Sequence, residues 1–376
     1  MTAAPTVRER VRGELVRIVH RGLGVQQLAP AAMRALRRAV PFEGACLLTV
    51  DPATLLPTAE IVQGGLPAEA TARLTEIELG EPDFTKFTEL ARSPSPAASL
   101  SGATGGEPDR SLRQRELRRP HGFADELRSV LPGPTGVWGA LTLLRAVGSP
   151  DFTPAEVRFV GSVAGLLADG LRRAALLQQT VAGPDDAEAG LLVLAVDDSL
   201  EMANRSAMTW LEQLGAGPGE RLPVVVRAIA GRARRAAAGD GASAARARVR
   251  TRTGRWVLVQ GSVLDGDGGD GPGVSRVAVL VEPARAPELA PLIAAAHGFT
   301  ERERLVTELV AQGFSSRAIA DRLHLSAYTV QDHLKAIFEK SGTGSRGELV
   351  ARLFVDGRTL RLSGKPGLPP AAHRPD

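Results

Sequence analysis

Residues 299–346 read FTERERLVTELVAQGFSSRAIADRLHLSAYTVQDHLKAIFEKSGTGSR. Thr300 stands three residues before Glu303, the spacing of a capping box. Leu305, Val306, Leu309 and Val310 then fall on one helical face, and Gly313 ends that helix. Ser315 is placed to cap a second helix, whose inward residues are Ala318, Ile319 and Leu323. Ser326 caps a third. One face of it is apolar, with Val330, Leu334, Ile337 and Phe338, and the opposite face carries Tyr328, Gln331, Asp332, Lys335 and Glu339. Gln331 and Lys335 are four apart and so project side by side. About 15 residues at about 1.5 Å each give a helix of roughly 22 Å, long enough to lie in the major groove of duplex DNA. Gly342 closes it. A fourth helix, from Arg346 to Phe354, presents Leu349, Val350, Leu353 and Phe354.

This stretch resembles the LuxR/FixJ-type helix-turn-helix. The agreement is carried by Phe299, Thr300, Glu303, Gly313, Ser315, Ile319, Ala320, Leu323, Ser326, Thr329, Val330, His333, Ile337, Lys340, Gly342, Ser345, Arg346 and Leu349, in order and spacing. The resemblance implies an all-α four-helix domain over 297–356 whose recognition helix is Ser326–Lys340. It also implies binding to double-stranded DNA as a homodimer, and self-association through the fourth helix at Leu349 and Leu353. Lys335 matches a position that reaches DNA. Gln331 stands where the family usually has lysine; a glutamine can pair instead with the N6/N7 edge of adenine. Asp332 either accepts from cytosine N4 or turns aside. Ser315, Ser326 and Thr329 are candidate phosphate partners, through hydroxyls and helix N-termini. Lys340 and Arg346 are expected to tie helix ends together, and His333 to pack.

Working outward, Val7, Val11, Leu15, Ile18 and Val19 recur at helical spacing. A second helix runs through Met33 and Leu36 to Val40. Strand-like runs follow at Ala45–Val50, Thr58–Val62, Leu127–Leu131 and Val137–Leu144. Residues 67–91 read as helices with loops. Ser93–Arg110, rich in Ser, Pro, Gly and Ala, reads as a flexible surface loop. Pro154 opens a long amphipathic helix to Leu177. The segment Val137–Leu143, then Phe152-Thr153-Pro154-Ala155-Glu156, resembles the end of a GAF domain, expected over 8–178. Residues 180–189 read as a linker. Strands at Leu191–Val196 and Leu200–Ala203, helices over 204–214 and 223–238, and strands over 244–251, 255–264 and 275–282 resemble a PAS-like domain over 187–284, with Asp197–Asn204 as the matching segment. The expected fold class is thus multidomain α+β: GAF-like and PAS-like sensory domains, then the helical DNA-binding domain and a flexible tail over 357–376.

The composition of the 376 residues, 43% hydrophobic and 23% charged, fits soluble globular domains. No apolar run approaches the roughly 18–20 residues of a membrane span. The basic start lacks an apolar core behind it, so no secretory signal is expected and the expected location is the cytoplasm. The net charge of +4 says little about nucleic acid, because the arginines cluster at 110–119 and 227–255, outside the helix-turn-helix. Cys46 lies in an apolar run and reads as a small core residue.

Several chemical signatures fail on context. Gly266-x-Gly268-x-x-Gly271 lies between two strands and reads as a hairpin turn. The acids at Asp265, Asp267 and Asp270 are spaced as in a calcium loop, but Arg276 occupies its twelfth position. The histidines are scattered, so no metal or other cofactor is expected. Leu192–Asp198 resembles the start of a phosphoacceptor receiver, but no lysine lies between Lys86 and Lys335 to complete one. No catalytic constellation is visible, and the chain reads as a non-enzyme. The resulting expectation is a DNA-binding transcription regulator. Its N-terminal domains would sense an unidentified small molecule or mediate dimerisation, and would gate the helix-turn-helix. The alternative is a protein-interaction adaptor whose helix-turn-helix no longer binds DNA.

Overall fold

The structure is a computed structural model, and it describes residues 6–67, 70–177, 188–216, 222–239, 244–264 and 276–350. The first layered unit runs α1 (Val7–Val19), α2 (Val25–Arg37), β1 (Gly44–Val50), β2 (Pro57–Gln63), α3 (Thr71–Gly80), α4 (Phe87–Leu90), β3 (Ala97–Ser99), α5 (Leu100–Ala103), β4 (Phe123–Gly133), β5 (Gly136–Ala146) and α6 (Pro154–Leu177). Its strands form one antiparallel sheet in the order β2-β1-β5-β4-β3. Strand alternation divides the side chains between two faces. Leu47 with Leu141, Leu143, Leu127 and Leu131 makes the face that packs with α1, α2 and α6 in the main core.

The segment 93–110 is not the flexible surface loop its composition suggests. Its residues Ala97–Ser99 pair with β4, and Ser99, Leu100, Ser101 and Thr104 are buried. The cause is a buried carboxylate. Asp125 accepts from the Ser101 amide and hydroxyl at 2.9 and 2.7 Å, from Phe152 N at 2.8 Å and from Glu126 N at 2.8 Å. A carboxylate at 0% exposure must be fully hydrogen-bonded, and small residues let the chain come close enough to do it.

A second sheet follows, built from β6 (Gly190–Leu194), β7 (Leu200–Ala203), β8 (Arg246–Arg250), β9 (Trp256–Leu264) and β10 (Arg276–Pro283), with α7 (Arg205–Leu214) and α8 (Val224–Ala237) inserted after β7. Its order, β7-β6-β10-β9-β8, repeats that of the first sheet when its strands are counted from one to five. The side chain of Asn204 caps α7 through Ala207 N at 2.8 Å. Leu192, Leu194, Val257, Val259, Val277 and Val279 pack under α7 and α8. The glycine-rich turn at 265–273 with its motifs lies outside the described residues, as do 180–187 of the expected linker and the tail at 357–376.

One helix was not legible in advance: α9 (Ala286–Ala296). Pro291 sits inside it, where a missing N–H ordinarily signals a break. The C-terminal helices are α10 (Glu301–Ala311), α11 (Ser316–Leu323), α12 (Ala327–Ser341) and α13 (Arg346–Val350). Among the described residues, no helix is long and apolar enough to cross a membrane.

The two sheet units are joined by a buried ion pair. Asp51, 2% exposed, accepts from the Arg248 backbone N at 2.8 Å, its Nε at 2.9 Å and its Nη2 at 2.6 Å, and from Ala53 N at 2.9 Å. Deleting one partner leaves a buried charge with half its ligands, which is strongly destabilising. Arg248→Ala should therefore lower unfolding stability by about 3 kcal/mol in chemical denaturation. A loss under about 0.5 kcal/mol, the range of an ordinary surface change, would contradict the contact.

Candidate nucleic-acid interface

The helices α10–α13 close around Val306, Val310, Ile319, Val330, Leu334 and Ile337. Each start is fixed by a cap. Thr300 and Glu303 form a reciprocal capping box, Ser315 Oγ accepts from Ala318 N at 3.2 Å, and Ser326 Oγ accepts from Thr329 N at 3.0 Å. The turn between α11 and α12 passes through His324 in the left-handed region (φ 53°), and Gly342 ends α12 at φ 65°. Two cations lock the helices together. Lys340 Nζ reaches both Glu303 oxygens, at 2.8 and 2.6 Å. Arg346 donates to Phe314 O at 2.9 Å and to Ser316 Oγ at 2.7 Å.

With Lys340 and Arg346 so occupied, the free face of α12 is left to Tyr328, Gln331, Asp332 and Lys335, all exposed. Lys335 has no hydrogen bond or ion pair among the described residues. Gln331 Nε2 donates to Ser316 Oγ at 2.9 Å. Its amide is therefore anchored on the first residue of α11, and its carbonyl is left for an outside donor. Ser326 and Thr329 face each other at 2.8 Å at the start of α12, while Ser315 lies beside the Gln331 anchor at the start of α11. Sequence reasoning missed Ser316, because only the crossing of α11 and α12 brings it to Gln331, fifteen positions on.

Leu349 does not lie where its expected role requires. At 0% exposure it belongs to the domain's own core, so its side chain is not available to a second copy. Leu353 lies outside the described residues.

Residues 297–353 match the family model of bacterial regulatory proteins, luxR family (GerE). The C-terminal segment is a LuxR-type helix-turn-helix. Among curated proteins, the chain is similar to the response regulator Rre1 of Synechocystis sp., 41% identical over 61 residues (16% of this chain and 26% of that protein). It is also similar to the transcriptional regulatory protein ComA of Bacillus subtilis, 43% identical over 58 residues (15% of this chain and 27% of that protein). The matches thus span about a quarter of those relatives' length. The crystal structure of Escherichia coli SdiA aligns over 91% of this chain and 94% of its own, at 12% identity and a TM-score of 0.30, too loosely to bear on the fold of the N-terminal units.

Burial pushes the Glu303 carboxyl up, but Lys340 and the Thr300 cap outweigh it, and the net direction is below the ordinary value. A lowered folded-state value means stability that is present above the ordinary carboxylate range and lost as pH falls through the lowered value. Glu303→Gln should lower thermal stability at neutral pH by about 1–3 kcal/mol, and the gap to the parent should close in acid below about pH 4. A gap that persists unchanged at low pH would show that the ion pair is not its cause.

Proposed function

We propose that this protein is a transcription regulator that binds double-stranded DNA through α12. The observation that carries the reading is the division of labour on that helix. Its apolar face and its terminal cation are used up within the domain, while Gln331, Asp332 and Lys335 stand exposed in a row over hydroxyls at two helix starts. In this reading Gln331 and Lys335 approach base edges, and Asp332 faces a cytosine N4 or turns away. Ser315, Ser326 and Thr329 meet phosphates. The protein acts as a homodimer in the cytoplasm, without catalytic activity of its own. With Leu349 internal, self-association draws on exposed residues around it and on the N-terminal units.

We also infer that 8–178 and 187–284 are GAF-like and PAS-like sensory domains that gate 297–356. The repeated strand order of the two sheets supports the pairing of related folds. The packing of α9 supports gating. Leu292 and Ala296 belong to the first unit's core, whereas Ala294 belongs to the core of the helix-turn-helix. A signal that favours one packing of α9 over another changes the presentation of α12.

A selection of fragmented genomic DNA on the full-length protein should enrich a two-fold-symmetric site, and Gln331→Ala/Lys335→Ala should enrich none. Lys335→Ala alone should weaken binding to the enriched site by about 1–3 kcal/mol if it reads a base; a uniform loss across sequences with a shallower salt slope would make it a phosphate contact. Absence of salt-dependent binding to any duplex would favour the adaptor reading instead.

A further inference from the structure

The first sheet has a second face, and its register determines what lies there. Cys46 on β1 is opposite Thr142 on β5, Thr142 is opposite Arg128 on β4, and Cys46 is opposite Val62 on β2. The next row is Glu60, Leu48, Ala140 and Val130. These alternate residues point away from the α6 core and floor a cavity of about 140 Å³. Its walls are Leu74 and Leu79 of α3 and Phe87 of α4. Its roof is not part of the first unit: Val224, Ala228 and Arg232 come from α8 of the second.

The lining is mostly apolar, with polar groups gathered at the Thr142 end and Glu60 and Arg232 elsewhere. Thr142 is 5% exposed, yet its hydroxyl has no hydrogen-bond partner among the described residues. A hydroxyl that opens on a cavity without a protein partner is free to donate to a bound group. The charged groups around it are paired, and the Nε atoms of Arg118 and Arg128 that lack a partner are sealed from the cavity. Arg128 pairs with Glu78 at 2.8 Å and lies over the Phe87 ring at 3.6 Å, while Glu126 takes Arg113 at 2.7 Å and Arg118 at 3.0 Å. At the far side Glu60 pairs with Arg227 at 3.2 Å. Cys46 sits half-buried on the floor, where burial, reinforced by Glu60, pushes its thiol up to about 12, so it stays neutral. At the Thr142 end, none of these paired groups opens an unmatched charge on the cavity.

We propose that this cavity binds a small, uncharged, mostly apolar molecule with one carbonyl group accepting from Thr142, enclosed jointly by the first sheet and by α8 of the second unit. The proposal rests on reading the N-terminal units as sensory and adds the ligand's chemistry and the means of coupling. The volume is close to that of cavities of about 150 Å³ that take up benzene, which sets the size at about one six-membered ring with a small substituent. Because α8 forms the roof, filling the cavity stabilises the docked arrangement of the two units over any arrangement in which they part.

The probes are cyclohexanone, its isostere methylenecyclohexane, and benzoate, titrated into the full-length chain by ligand-observed NMR. Cyclohexanone should bind saturably and more tightly than the other two. Thr142→Val, which removes only the hydroxyl, should weaken cyclohexanone by roughly 5–10-fold and leave methylenecyclohexane unchanged. Ala228→Phe, which fills the space from the roof, should abolish both. The proposal is overturned if cyclohexanone does not saturate, if benzoate binds as well, if Thr142→Val weakens both neutral probes equally, or if Ala228→Phe leaves them unaffected. Saturable binding that does not change DNA affinity would uphold the site and remove only the gating reading.

Discussion

The arrangement of the chain depends on how the C-terminal carbonyls of α9 are satisfied. A helix leaves its last carbonyls without intrahelical donors, and buried ones need partners. Here the amides of His297, Gly298 and Phe299 serve Ile293, Ala295 and Ala294 O, and the first unit adds two further donors. Thr135, from the hairpin between β4 and β5, donates its hydroxyl to Ala295 O at 2.9 Å, and Arg172 on α6 donates to Ala296 O. The same turn of α9 contributes Leu292 and Ala296 to one core and Ala294 to another. The DNA-binding candidate is therefore fastened to the first unit, and any rearrangement that moves α9 disturbs two cores and two capped carbonyls at once.

The arginine-rich composition takes its meaning from the same kind of contact. The cluster at 110–119 has the look of a nucleic-acid patch, yet Arg113 and Arg118 are buried against Asp83 and Glu126. Arg145 spans Glu156 and the carbonyls of Pro41, Pro150 and Asp151. Arg248 closes the junction between the sheets at Asp51. A planar guanidinium with five donors can satisfy several buried acceptors at once, which a lysine cannot. The buried arginines of the N-terminal units thus hold loops and sheets together.

The most legible parts of the sequence were those with strong local signals. The Thr300–Glu303 capping box, the 3.6-residue periods of α1, α6, α10 and α12, and the glycines after α10 and α12 all declare themselves within a few residues. Apart from β3, the strands of both sheets were legible to within a few positions. What escaped was set by distant partners. Segment 97–104 is ordered by Asp125, some twenty-five positions away, and its small residues read as loop when taken alone. Helix α9 hides behind Pro291. Leu349 follows an apolar period correctly, but periodicity cannot say whether a side chain faces its own core or a second copy. Ser316 carries no signal until α11 and α12 cross. The unmatched hydroxyl of Thr142 likewise appears only once β1, β4 and β5 are in register.

The claim at the centre is that the N-terminal units act on the DNA-binding helices through α9. The most direct test compares the wild type with Thr135→Val/Arg172→Ala, at equal concentration and salt, for affinity to one duplex selected by the wild type. Both substitutions lie outside the helix-turn-helix and touch no exposed residue of α12. The account predicts at least about a fivefold change in affinity, the lower range of coupling between sites, with the melting of α10–α13 preserved. Equal affinities in the two proteins would contradict it and leave the C-terminal domain a tethered but independent module.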